Sequence, residues 1–326
     1  MLLMCFEKGE ICFQRDALRN FCLRKLVTLY ANTNGTLREV TEKPFKLERD
    51  IQKLFEQNLD TVMALTLVCS EFSIKSRRID TLAFDDLTNA FVIIEYKRDK
   101  NISVIDQGFT YLGLMLENKA DFIVEYNEQL KKNLKRDQVD WSQTRVVFIS
   151  PSFTEFQIEA TNFKDIAIEL WEVKQYANGS VAIHELKKSK SAQSIKPLAQ
   201  QSKEIRQVID EIKVYTEDQL LATTTPEMVE LYEKFKSAIL NLADDLDVVP
   251  LKYYIAFKRR SNLVDIEIQK KSLKIFLNAR WGTLDDSKGI ARDVSGIGHC
   301  GNGDYQIQVD SDADLEYIMS LVKQVV

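Results

Sequence analysis

Residues 78–97, RIDTLAFDDLTNAFVIIEYK, read as two strands joined by a polar turn, with charged chemistry at one end of each. Asp80 lies near the start of the first strand, and Glu95 and Lys97 close the second. Side chains alternate along a strand, so Phe91, Ile93, Glu95 and Lys97 share one face. An amphipathic strand would carry such charges on the face opposite its apolar residues. Here the carboxylate and the ammonium continue the apolar face. The run Phe91-Val-Ile-Ile94 before them marks the strand as central, and a central strand rarely buries charge without a partner. An exposed edge strand with an ordinary ion pair is the competing reading, and that apolar run argues against it.

Two carboxylates on adjacent strands repel, and without compensation one takes up a proton. A divalent cation such as Mg²⁺ (or Mn²⁺) removes the conflict, because it prefers hard oxygen ligands and keeps several waters. Such an ion polarises a phosphoryl oxygen and acidifies a bound water. Lys97, on the face of Glu95, can orient that water or stabilise growing phosphate charge. Hydrolysis of a phosphodiester needs those services.

The flanking segments fit this reading. Asn34-Gly35 is a hairpin signal between apolar stretches at Leu26–Tyr30 and Leu37–Val40. Pro44 is expected to open a helix whose buried stripe is Leu47, Ile51, Leu54, Phe55 and Val62, with Glu48 at its edge facing a cleft. Leu65–Val68 and Glu71–Lys75 are expected as short strands. After Lys97, Ser103 is placed to cap a helix on which Gln107 and Tyr111 share a face. Residues 120–126, 145–150, 168–173 and 181–186 are expected as strands, with a helix near Phe153–Asn162.

With these neighbours, the stretch resembles the active-site signature of the PD-(D/E)xK nuclease superfamily, in its RecB-like and NucS-like branches. Asp80 is followed by fourteen residues and then Glu95-Tyr96-Lys97. Glu48 matches the acidic residue of the preceding helix, and Gln107 with Tyr111 matches the Gln-x-x-x-Tyr motif of the following one. The resemblance spans residues 44–175, with Ile79 standing where the name-giving proline would be. It implies that Asp80 and Glu95 bind metal and that Lys97 serves catalysis. Glu48 would be a further ligand or a water-orienting group, and Gln107 and Tyr111 would hold substrate or site geometry. The implied fold is α/β, a restriction-endonuclease-like mixed sheet flanked by helices.

Basic residues Lys75, Arg77, Arg78, Arg98 and Lys100 surround the site in sequence. Arg78 and Arg98 are candidates to neutralise phosphates beside the scissile bond. The net charge of −5 means that nucleic acid, DNA before RNA, must be met by a local basic patch. A second basic cluster is Lys258-Arg259-Arg260, at an expected turn. The alternative from another class is a catalytically silent module of the same fold that binds nucleic acid or protein.

The 326 residues allow two domains. The expected division is a poorly patterned extension at 1–24, a nuclease-like domain at 25–186, a polar and helical linker at 187–225, and a smaller α+β domain at 226–326. Helices are expected at 201–222 and 226–245 (the second opened by Pro226) and at 313–325. Strands are expected at 252–258, 264–269, 273–279 and 305–309. In residues 280–307, RWGTLDDSKGIARDVSGIGHCGNGDYQI, and 314–324, DLEYIMSLVKQ, the last domain resembles a domain of unknown function often found behind nuclease-like domains, some of whose carriers are labelled predicted transport proteins. In a third reading, that domain is the functional part.

Gly296-Ile-Gly298-His-Cys-Gly301 formally matches a dinucleotide fingerprint, but a strand follows it rather than a helix, so a loop is expected. Five cysteines without CxxC spacing and two histidines argue against a zinc site and a disulfide framework. No apolar run approaches the ~20 residues of a membrane span, and the N-terminus lacks signal-peptide character. A cytoplasmic location without a membrane partner is the expectation, with homo-oligomerisation possible.

Overall fold

The computed structural model describes residues 28–98, 103–189, 191–199, 203–259 and 261–326. The expectations for residues 1–24, Lys100 and Arg260 lie outside these. The chain divides into two units, residues 1–44 with 175–181 and residues 45–174 with 182–326. In the first, β1 (Tyr30–Thr33) and β2 (Thr36–Glu39) form an antiparallel hairpin. Asn34 and Gly35 turn it with φ of 51° and 82°, the pair of positive values that such a two-residue turn requires.

The second unit opens with α1 (Glu48–Glu56) and α2 (Leu59–Met63), where one helix from Pro44 through Val62 is expected. Helix α1 starts at Glu48 because the Asp50 carboxylate accepts the N–H of Leu47. It ends where Asn58 turns its side-chain amide back onto the Leu54 carbonyl. Next come β3 (Thr66–Ile74), β4 (Arg77–Asp85), β5 (Ala90–Tyr96), α3 (Val104–Glu117) and α4 (Lys119–Leu130). Then follow β6 (Arg145–Ser150), α5 (Glu155–Thr161), β7 (Ile168–Gln175) and β8 (Val181–Glu185).

Two expectations are corrected here. The short strands at 65–68 and 71–75 are one strand, β3, with a register shift between Leu67 and Cys69 and a positive φ at Glu71. The strand expected at 120–126 is the middle of α4. Phe122, Ile123 and Tyr126 form a helical stripe there, with Phe122 centred 5.3 Å from Phe72 and Tyr126 4.8 Å from Phe84. A seven-residue apolar segment carries both periodicities, and packing against the β3–β5 aromatics selects the helix.

The six strands β3 to β8 form one mixed sheet in sequence order, antiparallel from β3 to β5 and parallel from β5 to β7. Both faces of β5 are buried. Phe91 and Ile93 pack toward α3 and α4, while Val92, Ile94 and Tyr96 pack toward α1 and α2. At Gly108 the helix α3 lies so close to the sheet that a Cβ would stand 2.4 Å from Ile168 Cδ1.

Beyond β8 come α6 (Lys196–Ala199), α7 (Lys203–Glu211), α8 (Glu217–Leu221) and α9 (Pro226–Leu240). The segment expected as a linker adds Ile195, Val208, Ile209 and Ile212 to the core above the first sheet. The chain continues with β9 (Asp247–Pro250), β10 (Ile255–Lys258), β11 (Asn262–Ile268), β12 (Leu273–Leu277), β13 (Arg292–Asp293), β14 (Tyr305–Val309) and α10 (Leu315–Val322). These strands make a second, antiparallel sheet in the order β13-β14-β12-β11-β10-β9, with α9 and α10 sharing its core. Strands β9 and β13 have no counterpart in the sequence reading. The Gly296–Gly301 stretch is a loop, as expected. No helix among the described residues is long and apolar enough to cross a membrane.

Candidate functional site

The parallel strands β5 and β6 end side by side, and open parallel sheets commonly place ligands at such carboxyl ends. Glu95 sits there on the α3 face of β5, only 2% exposed. Asp80 enters from the start of β4. Its N–H donates to Glu95 Oε1 at 3.3 Å, and the N–H of Tyr96 donates to Asp80 Oδ2 at 3.1 Å. The two carboxylates therefore meet through reciprocal backbone bonds.

Lys97 follows the strand and donates from Nζ to Glu95 Oε2 at 3.1 Å. Gln107, on α3, donates from Nε2 to the same oxygen at 3.2 Å and to the Tyr111 hydroxyl at 3.2 Å. Tyr111 donates in turn to the Arg78 carbonyl at 3.3 Å. Asp80, Glu95, Lys97, Gln107 and Tyr111 are thus brought into one connected cluster. The amphipathic register of α3 does this, since residues four apart lie on one face.

Burial, and then the Glu95 carboxylate, push the Asp80 carboxyl up to about 6, against the Tyr96 N–H and the Lys97 ammonium that hold it down. Burial and the same carboxylate raise the Tyr111 phenol. The donor chemistry fits an oxygen-seeking divalent ion held by Asp80 and Glu95. Two carboxylates lie together without full compensation, and Gln107 Oε1 is buried without a hydrogen-bond partner. Glu48 approaches the same end of β5, but its Oε1 accepts the Arg98 N–H at 2.9 Å. No group of three or more His, Cys, Asp or Glu side chains arranged for a metal occurs among the described residues.

The two candidate phosphate contacts face outward. Arg78, with a 65% exposed side chain, pairs with Glu71 at 2.9 Å, and Arg98 donates from Nη1 to the Lys46 carbonyl at 2.7 Å.

Sequence reasoning missed two residues beneath the site, Gln52 and Glu56 of α1. Gln52 Nε2 lies 2.9 Å from the Asp80 carbonyl, and Glu56 Oε1 accepts the Thr81 hydroxyl at 2.5 Å. Their signal was present: Glu48, Gln52 and Glu56 repeat every four residues beside the apolar stripe.

A second charged cluster, also missed, lies at the opposite end of the sheet. Arg145 pairs there with Asp85 at 2.9 Å and Glu169 at 3.0 Å, beside a cavity of about 320 Å³. Burial and Glu169 push the Glu185 carboxyl up to about 7, and burial lowers the Lys188 ammonium to about 8.

A family model described as "Domain of unknown function (DUF5655)" matches residues 217–324. A protein of Haemophilus influenzae (strain ATCC 51907 / DSM 11121 / KW20 / Rd) described as "Uncharacterized protein" is 54% identical over 298 residues, 91% of this chain and 99% of that protein. Among solved structures, a repair endonuclease from Pyrococcus abyssi matches at 19% identity over 36% of this chain and 43% of its own, with a TM-score of 0.21. A complex of EndoMS with double-stranded DNA matches at 16% identity over 36% and 46%, with a TM-score of 0.19. SfsA of Pyrococcus furiosus in complex with Ca²⁺ matches at 14% identity over 47% and 78%, with a TM-score of 0.25. The chain spans less than half the length of the first two structures.

Proposed function

We propose that this chain, which belongs to the family of that Haemophilus influenzae protein, is a metal-dependent nuclease of the PD-(D/E)xK type, hydrolysing phosphodiester bonds of nucleic acid, DNA before RNA. The observation that carries the reading is the meeting of Asp80 and Glu95 at the end of a buried strand, with Lys97 and Gln107 both on Glu95 Oε2. A structural ion pair needs one carboxylate. A second one, half-buried beside it with its carboxyl raised to about 6, is an arrangement expected where charge has work to do.

Mg²⁺ or Mn²⁺, when bound by Asp80 and Glu95, supplies Lewis acidity toward a phosphoryl oxygen and an acidified water. The chain's own residues do the rest. Lys97 keeps a positive charge beside Glu95, placed to stabilise negative charge on the phosphoryl oxygens as water attacks phosphorus and the ester P–O bond breaks. Gln107 and Tyr111 fix the Glu95 rotamer by a chain of hydrogen bonds ending on the β4 backbone. Glu48 anchors the backbone at Arg98, the first residue beyond Lys97. Arg78 and Arg98, both on the exposed rim, are the contacts for flanking phosphates.

Incubation of the purified protein with single- and double-stranded DNA in Mg²⁺ or Mn²⁺ tests the reading. Metal-dependent cleavage is expected, and Glu95→Ala should lower it at least about a hundredfold. Cleavage that survives both Glu95→Ala and Asp80→Ala would sink the assignment. Salt-dependent DNA binding without any cleavage would point instead to the silent module of the same fold.

A further inference from the structure

Asp80 occupies a gap in the sheet. The β4–β5 ladder runs from Asp85↔Ala90 to Thr81↔Ile94 and stops one residue short of it. The β3–β4 ladder pairs Ser70 with Thr81 and Phe72 with Ile79, skipping Asp80, at the point where Glu71 takes a φ of 59°. A strand residue without ladder partners needs other bonds to hold its backbone.

The Asp80 N–H goes to Glu95 Oε1, and helix α1 supplies the partner of its carbonyl from below. Gln52, only 7% exposed, has its Nε2 at 2.9 Å from the Asp80 carbonyl, 3.0 Å from Ser70 Oγ and 3.0 Å from Glu56 Oε1. Glu56 Oε1 also accepts the Thr81 hydroxyl at 2.5 Å, and that hydroxyl lies 3.2 Å from the Tyr96 hydroxyl. Thr81 and Tyr96 directly follow the two site carboxylates, so their side chains leave the sheet on the opposite face, toward α1. One helix side thus grips the carbonyl of Asp80 and the hydroxyl of Thr81, and reaches Tyr96 through that hydroxyl.

We propose that Gln52 and Glu56 are positioning residues. Gln52 takes the Asp80 carbonyl that no ladder pairs, Glu56 holds Gln52 and the neighbouring Thr81 hydroxyl, and together they set the Asp80 carboxylate against that of Glu95. Ser70 is the third support, on the neighbouring strand. The catalytic consequence rests on the nuclease reading, whereas the positional claim does not. It predicts local loosening whatever the site does.

The test is amide hydrogen exchange across β4 and β5 of the full-length protein, run beside the DNA-cleavage assay, for Gln52→Leu, Glu56→Leu and Glu56→Gln. Loss of a hydrogen bond worth about 1 kcal/mol should speed exchange at Asp80 and Tyr96 by roughly fivefold in the two leucine variants. The amides of Val92 and Ile93 in mid-strand should not change. Glu56→Gln keeps an acceptor for Thr81 and should restore slow exchange. In the cleavage assay the leucine variants should lower kcat by about tenfold or more at unchanged KM, and Glu56→Gln should recover it.

Unaltered exchange at Asp80 and Tyr96 in both leucine variants overturns the proposal, as does a Glu56→Gln variant no better than Glu56→Leu. If Gln52→Leu does not fold, the two Glu56 variants decide by the same readouts. Wild-type protein that never cleaves, together with faster exchange in the variants, removes the nuclease reading and leaves the positioning role standing. Wild-type cleavage with unaltered exchange does the reverse.

Discussion

Asp80, half-buried at the end of the first sheet, and Asp265, fully buried within the second, are aspartates whose carboxyl groups are pushed up to about 6, chiefly by burial. Their surroundings differ. Asp265 is 1% exposed and accepts from the Asn302 N–H at 2.7 Å, from Asn302 Nδ2 at 2.8 Å and from Asn262 Nδ2 at 2.6 Å. Neutral amide donors surround it, and it ties the 302 loop to β11. Asp80 instead faces another carboxylate, which adds to its shift, and takes its strongest opposing help from a single backbone N–H. A raised carboxyl therefore does not identify a site by itself. What separates the two is whether the neighbours satisfy the charge or compete with it.

Mirrored substitutions break this comparison most sharply. Asp80→Asn should lower DNA cleavage at least about a hundredfold, while the thermal midpoint stays level or rises because a like-charge contact is gone. Asp265→Asn should do the opposite. It presents an amide N–H₂ to donors that need acceptors, and should cost about 1–3 kcal/mol in urea unfolding while cleavage by the folded protein is kept. A fall in cleavage with Asp265→Asn equal to that with Asp80→Asn would erase the distinction.

The pH dependence of stability sharpens the Asp265 side. Its folded value near 6 lies above the ordinary 3.8, so the folded state holds the proton more tightly than the unfolded one. The stability it contributes is complete below about pH 4 and is lost as pH rises through about 6, up to about 3 kcal/mol in all. Urea melts of wild type and Asp265→Asn between pH 4 and 7 should diverge in that sense. A wild-type curve with no steeper fall over this window than the variant would contradict it.

The smallest effect concerns the rim. Arg78 is exposed and paired with Glu71, so Arg78→Ala should weaken DNA binding by less than about tenfold and reduce its salt slope by about one. A variant with an unchanged slope would remove Arg78 from the phosphate contacts.

Much of the candidate site was legible because its signals are local. Glu95 and Lys97 share a strand face, Gln107 and Tyr111 a helix face, and both relations follow from backbone period alone. The Asn34-Gly35 turn and the start of α9 at Pro226 were legible for the same reason. Phe122, Ile123 and Tyr126 were misread because a short apolar segment fits both periods. The polar stretch after Lys187 was misread because its few apolar residues, Ile195, Val208, Ile209 and Ile212, find their core far away in sequence.

Residue order alone puts Glu95 with Lys97 on one strand face and Gln107 with Tyr111 on one helix face, and it carried the shared side of Glu48, Gln52 and Glu56 unread. Which of these faces meet is set by packing across the sheet and its helices. That packing left Asp80 outside both ladders, set Gln52 rather than Glu48 against its carbonyl, and turned the Arg78 side chain toward Glu71. The physical reason is range. A face is set by rotation about a few neighbouring bonds, whereas a hydrogen bond between α1 and β4 depends on how every intervening residue packs.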